Sequence, residues 1–326
     1  MGSSLSIRRV DYEEYSEVMR SSRIVFNGSS FLELNSDKTD SIHYLLVEKG
    51  HSVRFAAAFG VREGIASCPF SAPFGYPESQ KEEIPVGHYV EAGTLVDEYL
   101  QSLEISKSRM VLPPSFYDHN DIETWKNVFF NLGWKIECID LSFAFNLSKI
   151  GRSYESALAR NARKNLAIAR RSNLELRHCE SDAEAHEAYS VIRENREFKG
   201  YPLRMSERQV METMRLVASD MYLVLCDEIA VAAALVYKVS SDCAQVVYWG
   251  DRPGNSDKKP INFLSAELVK RYFNEGLKYL DVGPSTEDGV PNLGLCDFKD
   301  GLGCERSSKV RMVKSFKVES NSGGAY

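Results

Sequence analysis

Three strings recur at almost the same spacing along this chain, and that recurrence is what most limits the folds open to it. Leu95-Val96-Asp97-Glu98-Tyr99 aligns with Leu268-Val269-Lys270-Arg271-Tyr272 at an offset of 173 residues. Pro114-Ser115 aligns with Pro284-Ser285 at 170, and Ala57-Ala58 with Ala233-Ala234 at 176. A drift of a few residues over half a chain is what loop insertions produce. The spacing predicts a duplicated domain, with a junction near residues 147–151 and domains over 1–150 and 151–326. A length of 326 residues suits two domains of ~100–200 residues each.

Both halves mix helical and strand periodicity, so the expected class is α/β or α+β, a mixed sheet flanked by helices. In the second half Ser153 is placed to cap a helix running to about Arg171, with Leu158, Ala162, Leu166 and Ala169 on its apolar face. Ser181 with Glu184, and Ser206 with Gln209, read as capping boxes, and Gly200 and Pro202 close the first of those helices. Strands are expected over residues 221–226, 229–239 and 243–250, with Asp227-Glu228 as a tight hairpin turn between the first two. A helix over 261–275, stopped by Gly276, leads to a strand over 278–282. The first half repeats this order, with a strand over 53–60, a helix over 87–103 and a strand over 109–112.

Charge separates the halves. Residues 1–150 carry 14 Lys+Arg against 21 Asp+Glu, and residues 151–326 carry 26 against 25. Two basic islands lie in the second half. Residues 151–173 hold Arg152, Arg160, Arg163, Lys164, Arg170 and Arg171 against Glu155. Residues 299–317 hold Lys299, Arg306, Lys309, Arg311, Lys314 and Lys317 against Asp300 and Glu305. Local basic patches on a chain of net charge −6 point to an anionic small molecule rather than to DNA. The plainer alternative for each island is a solvated helix face.

The longest apolar run, residues 229–237, is too short to span a bilayer at ~18 residues. No basic segment followed by an apolar one opens the chain, and the seven cysteines are scattered and odd in number. The expectation is a cytoplasmic protein with reduced thiols. Met1-Gly2-Ser3-Ser4-Leu5-Ser6 fits the loose myristoylation pattern, which leaves peripheral membrane association open. The six histidines lack zinc spacing, and neither Gly-x-Ser-x-Gly nor a phosphate-loop motif occurs. Gly301-Leu302-Gly303 lacks the third glycine of a dinucleotide turn. What remains is chemistry that needs no cofactor held by such a motif, and acyl transfer between two bound substrates is one such reaction, because it runs on positioning, backbone donors and a proton acceptor.

Three further strings carry a resemblance. Asp140-Leu141-Ser142 precedes Leu158-Ala159-Arg160-Asn161-Ala162-Arg163-Lys164-Asn165-Leu166-Ala167-Ile168-Ala169, Gly276-Leu277-Lys278-Tyr279-Leu280-Asp281-Val282-Gly283 comes next, and Asn292 to Gly303 contains Phe298-Lys299 ahead of a glycine pair. In order and spacing these resemble the Fem-type peptidoglycan bridge transferases and their tandem GNAT-like N-acyltransferase relatives over about residues 140–310. Only Phe70-Ser71-Ala72-Pro73-Phe74-Gly75 is similar to the family in the first half. The resemblance implies two GNAT-like domains, the first diverged, and transfer of an acyl or aminoacyl group to an amine of a cell-envelope or sugar-nucleotide precursor. The donor it implies is acyl-CoA or an aminoacyl-tRNA, with no tightly bound cofactor and no metal. The chain departs from ordinary GNAT acetyltransferases in having no glycine with Gln or Arg three residues before it, the turn that holds coenzyme A pyrophosphate. Lys258 and Lys259 stand instead just before a helix N-terminus. Two alternatives stay open: an acetyl-CoA-dependent N-acetyltransferase of polysaccharide synthesis, and a non-catalytic ligand-binding protein that has kept the fold.

These strings supply the candidate site. Asp281 at a strand end, to orient an amine or take its proton, and Tyr248 are the catalytic candidates. Arg160, Arg163 and Lys164 are expected to clamp an anion, and Lys299 to face a substrate phosphate. Tyr201 and Trp249 are candidate pocket walls, and Asn292, Gly301 and Gly303 of the Phe-Lys string are candidate substrate-binding residues, the glycines by close ligand approach. For each a structural reading competes: helix face, core aromatic, turn or loop anchor.

Overall fold

The computed structural model describes residues 4–316. Met1, Gly2 and Ser3 of the myristoylation pattern, and Lys317 of the second basic island, lie outside the described residues. In chain order the elements are β1 (Ser6–Val10), α1 (Tyr12–Val18), α2 (Ser29–Leu34), β2 (Ser41–Lys49), β3 (Ser52–Arg62), β4 (Ile65–Cys68), β5 (Glu78–Ser79), α3 (Val86–Ser102), β6 (Lys107–Leu112) and α4 (His119–Asn131). Then come β7 (Lys135–Asn146), α5 (Leu147–Ile150), α6 (Tyr154–Ala157), α7 (Arg160–Ala169), β8 (Leu174–His178), α8 (Asp182–Lys199) and α9 (Glu207–Leu216). The chain continues through β9 (Ser219–Cys226), β10 (Ile229–Lys238), β11 (Cys243–Asp251), α10 (Pro260–Asn274), β12 (Tyr279–Pro284), β13 (Thr286–Glu287), β14 (Val290–Pro291), α11 (Leu293–Gly301) and β15 (Glu305–Ser315). No helix among the described residues is long and apolar enough to cross a membrane.

The chain divides into two compact units, one of the residues up to Ile139 together with those from Ser308 on, the other of Asp140–Ser307. Each carries the same sheet. In the first the strand order is β1-β2-β3-β4-β6-β15, antiparallel throughout except for the parallel pair β4–β6. In the second it is β8-β9-β10-β11-β12-β7, again antiparallel except for the parallel pair β11–β12. Even the irregularities correspond. The β2–β3 ladder skips Arg54 and the β9–β10 ladder skips Val231, 177 residues on. The strings matched in the sequence fall on equivalent elements, β3 with β10, α3 with α10, and the C-terminal ends of β6 and β12.

The boundary differs from the one the sequence predicted. It falls at Ile139/Asp140 rather than at residue 150, and the segment from Ser308 returns to the first unit. The reason is an exchange of last strands. β7 follows α4 in the chain yet pairs with β12, and β15 follows α11 yet pairs with β6. A strand that completes another unit's sheet cannot be assigned from its neighbours in sequence.

In the second unit β10 is apolar over almost its whole length because both faces are covered. Ala232, Ala234 and Val236 join Leu166 of α7 and Leu264, Leu268 and Tyr272 of α10 in one core cluster. Ala233 and Leu235 point to the opposite face, where α8 packs on β10 and β11. Both predicted capping boxes form, Ser181 with Glu184 and Ser206 with Gln209. Asp227 and Glu228 adopt φ of 49° and 66°, the left-handed pair that a two-residue hairpin turn requires. The predicted helix from Ser153 is broken. Leu158 and Ala159 are extended, Ser153 makes no side-chain cap, and the Ala159 N–H donates to Gly301 O at 3.0 Å.

Candidate functional site

The parallel pair β11–β12 runs in register only from Cys243↔Tyr279 to Gln245↔Asp281. Beyond that rung β11 continues to Asp251 on β10 alone, while β12 shifts register against β7 between Asp281 and Pro284, with Gly283 at φ 73°. The two strands therefore part, and a wedge opens whose vertex is the Gln245–Asp281 rung. Along β11 beyond it, the backbone groups on the β12 side have no ladder partner in β12.

Asp281 is 1% exposed. Its carboxylate accepts from Gln245 Nε2 at 2.8 Å and from the Gly283 N–H at 2.7 Å. It is thereby an anchor for the vertex, turned into the protein. Lys299, 2% exposed, approaches from α11. Its ammonium donates to the carbonyls of Val282, Gly283 and Pro284 at 2.8, 2.9 and 3.1 Å, and lies over the Phe143 ring. An ammonium has three donors, and all three are engaged at the turned end of β12. The expectation that Lys299 faces a substrate phosphate is corrected on that ground; it holds the shape of the wedge wall. Burial pulls its pKa down to about 8, the Asp281 carboxylate resists that, and the Arg196 guanidinium adds to it.

Arg196 is the residue that sequence reasoning missed. Its place is set by the end of α8, where Gly200 at φ 67° reverses the chain and the Tyr201 N–H returns to Arg196 O at 2.9 Å. That turn folds Tyr201 back toward the Arg196 side chain, with 5.9 Å from guanidinium to ring centroid, and Tyr248 of β11 lies on it at 5.3 Å. Arg196 has no carboxylate partner among the described residues, and its buried Nε makes no hydrogen bond. Burial lowers its pKa, and the two tyrosines oppose that. Arg196 and Lys299 together against Asp281 leave the wedge with an excess positive charge.

The other predicted residues separate. Tyr248 and Tyr201 meet at Arg196. Trp249 points to the other face of β11, against the α7/α10 core, as adjacent strand residues must; it shares no pocket with Tyr248. Asn292 is the N-cap of α11 and accepts from the Leu295 N–H at 3.0 Å. Asn292→Ala should lower stability by about 1 kcal/mol in denaturant titration and leave ligand binding unchanged. Gly303 has φ 83°, and a Cβ there would press on Ala157 at 3.0 Å, so it serves the turn into β15. A Cβ on Gly301 would meet nothing closer than 4.0 Å, and its carbonyl receives Ala159. Arg163 is engaged at the chain break, donating to Glu155 O and Leu158 O. Arg160, Lys164 and Arg171 are exposed and have no partner among the described residues, so they form a cationic stripe along α7 and just past its end. The second island is not a patch. Besides buried Lys299, Arg306 pairs with Asp300, Arg311 with Glu137 and Lys314 with Asp97.

No protein-family model and no curated protein sequence matches the chain. Solved structures do. FemX superposes with a TM-score of 0.69 at 11% sequence identity, over 95% of this chain and 97% of that one. The fold is that of FemX. The C-terminal domain of an Agrobacterium fabrum protein named as a putative lysylphosphatidylglycerol synthetase gives 0.58 at 11% identity, over 93% of this chain and 92% of its own. A Bacteroides thetaiotaomicron protein of unknown function also gives 0.58, at 10% identity over 95% and 99%. The fold expected from the Fem-type resemblance is the fold observed.

Proposed function

We propose that this chain is an acyltransferase that moves an acyl or aminoacyl group onto an amine of an anionic acceptor, a cell-envelope precursor or sugar nucleotide, in the cytoplasm. The observation that carries the reading is Arg196. A half-buried guanidinium with an unbonded Nε, stacked on Tyr248 and Tyr201 beside an open strand pair, is a place for a phosphate or carboxylate. The wedge supplies the rest of what acyl transfer needs. Beyond Gln245 no rung to β12 takes up the backbone N–H groups on that side of β11, and this reading gives them the tetrahedral oxyanion. The amine must arrive neutral, and this reading gives the relay of its proton to the Tyr248 phenol, since Asp281 is occupied with Gln245 and Gly283.

Between the two donors, the loop from β11 to α10 favours an aminoacyl-tRNA. The N–H groups of Asn255, Lys258 and Lys259 are folded onto Arg252 O, Asn255 O and Ser256 O. Helix α10 opens on Pro260, which has no N–H, and its Asn262 and Phe263 amides return to Lys259 O. A coenzyme A pyrophosphate would find few free donors there. The stripe of Arg160, Lys164 and Arg171 offers a phosphodiester backbone, or an anionic membrane surface, a line of unpaired cations. Reversing Arg160 and Lys164 to Glu should raise the apparent KM for a polyanionic donor by about tenfold at low salt, with the gap closing at high salt. Equal KM values at both salts would return α7 to a solvated face.

The test of the whole reading is a thermal-shift panel of acetyl-CoA, longer acyl-CoAs, charged tRNA and UDP-linked amine precursors, followed by label transfer for each stabilising pair. A ligand at a hundred times its Kd should stabilise by about 2.7 kcal/mol. Arg196→Met should cut the stabilisation given by the anionic acceptor at that concentration to ~0.4–1.4 kcal/mol. Stabilisation without transfer for every pair would favour the non-catalytic binding protein.

A further inference from the structure

Asn195, the residue before Arg196, is 3% exposed. Its Nδ2 donates to Asp251 O at 2.7 Å and to Asp251 Oδ1 at 3.1 Å. Gly250 is what admits it, because a Cβ on Gly250 would overlap the Asn195 side chain. Gly250 lies opposite Ala233 and Tyr248 opposite Leu235, both on the α8 face of the sheet. One amide therefore ties the turn of α8 that carries Arg196 to the stretch of β11 that carries Tyr248.

The first unit contains the same device. Asn27 precedes Asn195 by 168 residues, the spacing that separates β1 from β8. Its Nδ2 donates to Tyr76 O at 3.2 Å and to Glu78 Oε2 at 3.1 Å, again one backbone carbonyl and one carboxylate. A Cβ on the neighbouring Gly75 would stand 3.0 Å from its Oδ1. The next residue along the chain is Gly28, where the second unit has Arg196. The clamp is thus present twice, once with a cation behind it and once without.

We propose that Asn195 is a positioning residue of the anion site. It fixes the separation of Arg196 from Tyr248, and so sets the affinity for the anionic group of the acceptor. The inference rests on the reading of Arg196 as an anion receptor. The two clamps provide an internal control, since loss of either costs the fold a similar pair of bonds while only one borders the wedge.

The experiment compares Asn195→Ala, Asn27→Ala, Gly250→Ala and Arg196→Met in the full chain. It measures thermal unfolding, and the Kd for inorganic pyrophosphate followed by calorimetry. Acrylamide quenching of tryptophan reports on the end of β11, because Trp125 and Trp134 are fully buried and Trp249 adjoins Gly250. Asn195→Ala and Asn27→Ala should lower the melting temperature comparably. Only Asn195→Ala should weaken pyrophosphate, by about tenfold, and raise quenching. In label transfer it should raise the acceptor's KM and leave kcat within about twofold. Gly250→Ala, which keeps the amide but displaces it, should weaken pyrophosphate in the same direction and serves if Asn195→Ala fails to fold. Wild-type affinity in both Asn195→Ala and Gly250→Ala, with Arg196→Met impaired, would overturn the positioning role and leave the anion site standing. Equal weakening in Asn27→Ala would overturn it too, as a general effect of stability. Wild-type affinity in Arg196→Met would overturn the anion site and the inference with it.

Discussion

Lys299→Met should destabilise the second unit by ~3–5 kcal/mol at neutral pH, a fall in melting temperature of roughly 10 °C. The methionine stem fills the same channel, so little volume is lost. What is lost is the ammonium that satisfies the carbonyls of Val282, Gly283 and Pro284, leaving acceptors buried at the turned end of β12. The pH dependence separates this from loss of packing. Burial pulls the Lys299 pKa from 10.5 down to about 8. Between about pH 8 and 10.5 the unfolded chain binds the proton that the folded chain has released, so wild-type stability rises with pH across that window. The rise is up to about 3 kcal/mol, and Lys299→Met lacks it. The deficit of the variant should widen from pH 8 to pH 10. A deficit under ~1 kcal/mol, flat in pH, is what an exposed lysine would give.

Glu78→Ala should destabilise the first unit by a similar amount, about 3 kcal/mol or more. Glu78 is 1% exposed and its carboxyl accepts from the Arg23 N–H at 2.7 Å, Ser22 Oγ at 2.9 Å and Asn27 Nδ2 at 3.1 Å. Truncation orphans the Arg23 N–H and removes a charge-assisted acceptor from Ser22 Oγ and Asn27 Nδ2, which keep Ile24 O and Tyr76 O. Burial holds its pKa above the usual carboxylate range, although those donors and the Arg23 guanidinium pull the other way. For a carboxyl raised in the folded state, the stability it contributes is full below its unfolded pKa and is lost as pH rises through the folded value. Glu78→Gln, which stays neutral, should therefore gain on wild type as pH rises, in paired urea titrations across the acid range. An advantage that shrinks with rising pH would contradict the raised pKa.

The repeat was legible because loops had absorbed the insertions. Ala57-Ala58 and Ala233-Ala234 lie in β3 and β10, so the small residues that admit a helix onto the sheet recur where the sheet recurs. Capping boxes and the Asp227-Glu228 turn were legible because their chemistry is local. The rest depends on distant groups. The chain break at Leu158-Ala159 is fixed by a carbonyl at Gly301, and the unit boundary by strands that pair away from their sequence neighbours. Lys299 read as a cation facing a substrate phosphate because charge is normally solvated, and only three converging carbonyls reveal its burial. Arg196 was hidden among Arg193, Glu194 and Glu197, which look like one solvated helix face. The local sequence signal for it is Gly200-Tyr201 closing the helix behind it, while the asparagine–glycine pairs, Asn27 with Gly75 and Asn195 with Gly250, emerge only from the folded contacts.

The most direct test of the proposed activity is label transfer in single-turnover conditions, with aminoacyl-tRNA and acyl-CoA as alternative donors and a UDP-linked amine precursor as acceptor. Wild type and Arg196→Met are compared at matched fractions of folded protein. The predicted result is transfer to the amine from the aminoacyl-tRNA, with Arg196→Met lowered by ~10- to 100-fold in kcat/KM. Transfer at the wild-type rate in Arg196→Met would contradict the site in the β11–β12 wedge, and no transfer from either donor would contradict the enzyme.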